Sequence, residues 1–160
     1  MSYVVPIKKL ITSNRTGSWC RLPYPNHKTG CPNYGKNKWC PPQAPMVDEY
    51  FELSKPLYIV HSEFDFYGHV EKMRAKHPEW SDRQCACVLY WQGTSRKQMK
   101  ERVARAMWEL GTNASASCPE AMGVNVYATA LLSGLKLDRI RHLKTCRHIT
   151  IIGSKLWRGG

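Results

Sequence analysis

Leu57-Tyr58-Ile59-Val60-His61-Ser62-Glu63-Phe64-Asp65-Phe66 is a β-branched and aromatic run. It reads as a strand, buried over its first residues and alternating after them, with Gly68 closing it. Downstream, residues 69–76 suit a short helix stopped at His77-Pro78, and Ser81 is a good N-cap for a longer helix that breaks near Gly93. Met99, Val103, Met107 and Leu110 then form an apolar stripe with Lys97, Arg102 and Arg105 pointing elsewhere, and Gly111 is its stop. Residues 119–134 give another helical segment with Gly134 as C-cap, and two short strands follow at Leu135–Leu137 and His148–Ile152. Strands separated by helices predict a small α/β domain, a short sheet flanked by helices, with its core over residues 55–153. At 160 residues the whole chain, 1–160, reads as one domain, in which a bound metal could supply much of the net stability.

Upstream of that core the chain changes character. Residues 12–46 carry prolines and glycines from Gly17 to Pro45 and show no helical or alternating period. A structureless stretch longer than about 12–15 residues is uncommon in a compact domain unless something holds it. Three thiols sit inside it, each among aromatic rings or prolines: Trp19-Cys20, Cys31-Pro32 with Tyr34, and Trp39-Cys40-Pro41-Pro42. A Cys-Pro step turns the chain away from the sulfur, and neighbouring rings keep water off a thiolate-bound centre. Cys118-Pro119 repeats the signature far downstream. A metal clasp is the expectation for this irregular cysteine-rich loop.

Spacing separates the candidate metals. Ten residues lie between Cys20 and Cys31 and eight between Cys31 and Cys40, so no pair has the short knuckle of structural zinc modules. Long loops between single thiolates suit an iron–sulfur cluster, with Cys118 capping the last iron or leaving it open as a Lewis acid. Zinc is the alternative, because His27 completes a Cys3His set with Cys20, Cys31 and Cys40. The plain reading, four thiols packed in a loop-rich core, stands beside both, since free cysteine is among the most buried residue types. Cys85, Cys87 and Cys146 read as core thiols.

Charge gives a second clue. The chain has 24 Lys and Arg against 12 Asp and Glu, and no acidic residue precedes Asp48. A second basic stretch runs from Lys136 to Arg158, where the only acid is Asp138. Such a field attracts phosphate-bearing substrates or nucleic acid, and Arg21, Lys36, Lys38, Arg96 and Lys97 are the candidate phosphate contacts. Acidic protein partners are the other class it would suit. Glu63 and His69 follow the first predicted strand, where sites in α/β folds gather, and with Glu120 they are the candidate acids and bases. Residues 91–97 read either as a pocket lining or as a capped break between helices, with Thr94 or Ser95 as the cap. No Walker, serine-elbow or dinucleotide motif is present.

The start, Met1-Ser2-Tyr3-Val4-Val5-Pro6, lacks a signal-peptide apolar stretch, the cysteine count of 7 is odd, and no window is apolar enough for a membrane span. A cytoplasmic protein with reduced or metal-bound thiols is expected.

Cys31-Pro32-Asn33-Tyr34-Gly35-Lys36-Asn37-Lys38-Trp39-Cys40-Pro41-Pro42, followed by Pro119-Glu120-Ala121-Met122-Gly123-Val124-Asn125-Val126-Tyr127-Ala128-Thr129-Ala130, resembles an uncharacterised family of cysteine-rich proteins predicted to bind metal. That family looks like a Cys-Pro-x-Tyr-Gly-Lys…Cys-Pro-Pro loop before an α/β core. The resemblance implies metal binding through Cys20, Cys31 and Cys40 and supplies no reaction. Its members look as though they carry extra closely spaced cysteines before the second motif. Here residues 112–118 hold Cys118 alone, so a second centre does not carry over.

Taken together, the sequence predicts a metal-binding protein, with an iron–sulfur cluster acting on a nucleotide or nucleic acid. The alternative is a zinc-stabilised basic module that binds nucleic acid without catalysis.

Overall fold

The computed structural model describes residues 1–24 and 27–157. Its elements, in chain order, are β1 (Val4–Pro6), α1 (Val47–Tyr50), β2 (Tyr58–His61), β3 (Phe64–Asp65), α2 (Phe66–Lys76), α3 (Asp82–Cys85), α4 (Gln92–Leu110), β4 (Ala114–Ala116), α5 (Val126–Leu132), β5 (Thr145–Cys146) and β6 (Ile149–Gly153). Single 3₁₀ turns at Thr16–Arg21, Val88–Tyr90, Pro119–Met122 and Ile140–His142 link them. The fold is mixed α/β. Four strands form an antiparallel sheet in the order β1-β2-β6-β4, and β3 pairs with β5 in a separate ribbon.

Side chains alternate across the sheet and build a core on each face. Val60 and Ile152, both fully buried, meet Met99 and Ala106 of α4, with Val103, Met107 and Leu110 around them. The expected stripe of α4 is therefore its sheet-facing side. Gly111 ends the helix in the left-handed region at φ 67° and returns its N–H to Met107 O. On the opposite face, Ile151, Ala114 and Ala116 meet Phe51, Leu57, Met122, Val124 and Val126. The N-terminal residues Ile7, Leu10 and Trp19 pack against that second core.

Several boundaries differ from expectation, each for a local reason. The 57–66 run splits, because Ser62 leaves the ladder to exchange hydrogen bonds with His148. Its N–H donates to His148 O at 3.1 Å, and its hydroxyl accepts from His148 N at 2.8 Å. Gly68 lies within α2 and does not close a strand. The Asp65 carboxylate caps that helix through Gly68 N at 2.9 Å and fills the space a Cβ would need. Ser81 does cap a helix, in a reciprocal box with Gln84, yet α3 ends after one turn. The break falls at residues 86–91, so Gly93, Thr94 and Ser95 stand inside the first turns of α4 and neither hydroxyl caps it. The segment 119–134 is interrupted at Gly123 (φ 84°), and residues 135–137 are not a strand. β1 and β4 are unanticipated. Ala114-Ser115-Ala116 has little intrinsic strand preference and is held as an edge by β6.

Candidate metal centre

The irregular segment is docked onto residues 119–129 by hydrogen bonds rather than by regular structure. Ser13 N donates to Gly123 O at 2.7 Å, Asn125 N to Ile11 O at 2.8 Å, Thr16 Oγ1 to Glu120 O at 2.7 Å, and Ile11 N to Thr129 Oγ1 at 3.0 Å. Thr16 is 1% exposed, so its hydroxyl needs that carbonyl partner. The effect is to lay the 3₁₀ turn carrying Cys20 against the turn that begins at Pro119, just after Cys118.

Cys31 joins through its backbone, its N–H donating to Cys20 O at 2.6 Å. Gly30 makes this approach possible. At φ 86° it occupies a conformation that costs other residues energy, and a Cβ there would run into the backbone of Cys20 and Arg21. Cys40 arrives from the other side. Its carbonyl accepts from Gln43 N and Ala44 N at 3.0 Å each, and the ring of the next residue, Pro41, stands where a Cβ on Gly17 would meet it at van der Waals range.

Electrostatics records the convergence. The Cys20 thiol is pushed up to about 11, first by burial and then by Glu120, Cys118, Cys31 and Cys40. Cys118 is exposed, yet the protein packed behind it raises its thiol, as do Glu120, Cys40 and Cys31, against a lowering hydrogen bond from Ser117. The Glu120 carboxyl is itself raised by burial. Four predicted ligands and one predicted acid thus share one neighbourhood. Among the described residues, no three His, Cys, Asp or Glu side chains form the close array that a single ion requires. His27 instead stacks on Tyr24, with ring centroids 4.6 Å apart.

Aromatic rings border the thiols. Trp19 meets Tyr127 at 5.8 Å and Trp39 meets Tyr50 at 5.3 Å, while the Arg21 guanidinium lies over Tyr34 at 4.2 Å and the Lys38 ammonium near Trp39 at 5.4 Å. Arg21, Lys36 and Lys38 are exposed on this loop. Arg96 and Lys97, also exposed, stand on α4. Arg96 links the two regions, lowering Tyr24 against the raising effect of burial and lowering His148 together with burial.

The other two predicted acid–base residues belong to a different set of contacts. Glu63 is exposed and pairs with Arg147 at 3.2 Å, while Arg147 Nη1 donates to His61 Nδ1 at 3.0 Å. A guanidinium only donates, so Nδ1 is the acceptor and the His61 proton sits on Nε2. Burial, then Arg147, holds this imidazole below its ordinary value. His69 rides on α2 with its ring 5.5 Å from Phe64, and its Nε2 is buried without a hydrogen-bond partner.

The sequence reading missed a buried polar chain behind Glu63. Ser95 Oγ lies 2.8 Å from His148 Nδ1 and 3.3 Å from Ser62 Oγ. Burial, then Arg96, lowers the His148 imidazole, and its Nδ1 with the Ser95 and Ser62 hydroxyls makes one continuous hydrogen-bonded set. The usable signal was helical spacing, because Ser95 precedes Met99 by one turn and so lies on the buried stripe. Arg102 also departs from expectation. It turns toward the sheet, donating to His61 O at 2.9 Å and lying 4.9 Å over the Tyr3 ring.

No family model, curated protein or solved structure matches the chain. No described helix is long and apolar enough to cross a membrane.

Proposed function

We propose that this chain holds an iron–sulfur cluster on Cys20, Cys31, Cys40 and Cys118, at the edge of a basic surface that receives a phosphate-bearing ligand. The observation that supports it is the gathering of these four thiols, from loops far apart in sequence, around Cys20. The donor set fits the group, because it is all sulfur and flanked by rings that limit water. A lone zinc ion, with Zn–S bonds of about 2.3 Å, needs its thiolates drawn tightly together, whereas a four-iron cluster spreads them over its corners.

When bound, such a cluster supplies a one-electron couple, or a Lewis-acid position where one iron lacks a thiolate. The chain's own residues do the rest. Gly30 and the Cys31 N–H fix the first two thiols relative to each other. Trp19 and Tyr127 wall off solvent, and Glu120 stands beside both Cys20 and Cys118. Arg21, Lys36 and Lys38 offer exposed positive charge at the rim.

The test is metal analysis of protein purified without oxygen. Expected are about four irons and four sulfides per chain with a broad absorption band at the violet edge of the visible. Colourless, iron-free protein that is fully folded overturns the reading. Stoichiometric zinc moves the function to the alternative, a zinc-stabilised basic module that binds nucleic acid, with His27 drawn in from its stack on Tyr24.

A further inference from the structure

Tyr127, whose ring meets Trp19, also lines a groove. It has a volume of about 300 Å³ and opens between the end of α5 and residues 136–142. Tyr127, Leu131 and Leu137 supply its apolar and aromatic wall, and Lys136, Arg139 and His142 supply its polar side. The volume is at the lower end of the roughly 300–1,000 Å³ typical of small-molecule sites.

Charge in the groove is one-sided. Asp138 is its only acid, and that carboxylate is already engaged, accepting from Thr145 N at 3.0 Å and Lys144 N at 3.2 Å. Those two amides hold it below the usual carboxylate range, so it stays ionised and committed to its own loop. Lys136 and Arg139 line the opening as exposed basic residues, and among the described residues neither forms an ion pair. The Arg139 guanidinium is preorganised, lying 4.2 Å over the Tyr127 ring, which fixes its plane and leaves its N–H edge available. A cavity with an apolar wall and a rigid guanidinium beside an ammonium suits a ligand that has both a flat ring and a compact anion.

We propose that this groove binds a small phosphate ester bearing a planar ring, of the nucleoside monophosphate class. The phosphate meets Lys136, Arg139 and the His142 imidazole, and the ring lies against Leu131 and Leu137. The inference deepens the function proposed above and rests on it for the ligand class. It adds phosphate contacts in this groove to those of the Lys36–Lys38 rim. Tyr127 joins the two places, because its other side meets Trp19, the residue before Cys20.

The experiment is calorimetric titration of the full-length, anaerobically purified protein with adenosine 5′-monophosphate, adenosine and inorganic phosphate as separate probes. Expected is saturable binding of the monophosphate, weaker binding of each of the other two, and at least about a tenfold loss of monophosphate affinity in Lys136→Gln/Arg139→Gln. Leu131→Glu, which adds a negative charge at the exposed wall, should lose a similar factor and serves if the double variant does not fold. Lys100→Gln, an equally exposed charge on α4, should change the affinity less than twofold, about the scale of a small rim-charge effect. No monophosphate binding, or equal losses in Lys100→Gln and the groove variants, overturns the proposal. Iron measured on the same samples keeps the two readings apart: binding without iron overturns the cluster alone, and iron without binding overturns the groove alone.

Discussion

The two faces of the four-stranded sheet are covered by opposite means. On one, the single helix α4 lays Met99 and Ala106 on Val60 and Ile152, and its own backbone hydrogen bonds are satisfied within the helix. On the other, the cover includes an irregular segment whose position depends on individual hydrogen bonds to residues 119–129 and on close backbone contacts such as that of Gly30. The first face joins apolar area to a short polar chain through Ser95 and His148. The second brings Cys31, Cys40 and Glu120 close to Cys20 and Cys118, whose thiols are raised first by burial and then by those neighbours, effects that a bound cation would reverse. The contrast teaches that stability and site construction are divided between the faces.

The most disruptive way to break this comparison is to hollow out the core beneath α4. Ile152→Ala should cost about 3–4 kcal/mol, and fluorescence and circular dichroism should report one common unfolding transition shifted to lower urea. Gly30→Ala should cost about 2 kcal/mol through its left-handed backbone and steric overlap. Its damage should be local. Hydrogen exchange should accelerate over residues 16–42 and not in α4, and a uniform acceleration would refute the division.

A finer test compares the two candidate fourth ligands. Cys118→Ala should lower the iron content by about a quarter or more, as expected when one corner of a four-iron cluster loses its thiolate, while His27→Ala should leave it unchanged. The reverse result would transfer the fourth position to the imidazole. The smallest expected effect is a pH slope. His61 and His148 are both held below the ordinary value of about 6.5, by burial first and then by Arg147 and Arg96 respectively, although the Ser62 backbone and then Glu63 partly offset this at His61. The unfolded chain therefore binds more protons than the folded one just below that value. The contribution is fully present above about pH 6.5 and is lost as the pH falls through the folded values. Urea midpoints should decline from about pH 7 to 5.5, less steeply in His148→Asn, and identical slopes would remove His148 from the account.

How much of this was legible in the sequence depended on whether the signal was local. The α4 stripe, Gly111 as its stop, Ser81 as a cap and the strand cores at 58–61 and 149–152 follow from periodicity and capping chemistry, which neighbouring residues determine. β1 and β4 were not legible, because Val4-Val5-Pro6 and Ala114-Ser115-Ala116 become strands only when β2 and β6 offer edges. Within the candidate site, cysteine–proline chemistry singled out Cys31, Cys40 and Cys118, and Cys118 comes near Cys20 through turn-on-turn packing that spacing does not encode. Arg139 and Tyr127 escaped for the same reason, since residues twelve apart in sequence stack only because the chain reverses between them.

β2 and β6 pair at the centre of the sheet, Tyr58 with Ile152 through His61 with Ile149, across nearly ninety intervening residues. On the ribosome this imposes a waiting time. Residues 58–61 leave the exit tunnel long before their partner strand has been synthesised, and at roughly 5–20 residues per second the delay is several seconds. During that interval the apolar residues Ile59 and Val60 have no strand to pair with on the β6 side, while all three N-terminal thiols are already outside. The order of synthesis thus leaves these three thiols outside the tunnel before the sheet can close, and the strand order sets aside an interval in which the proposed cluster would be loaded during translation.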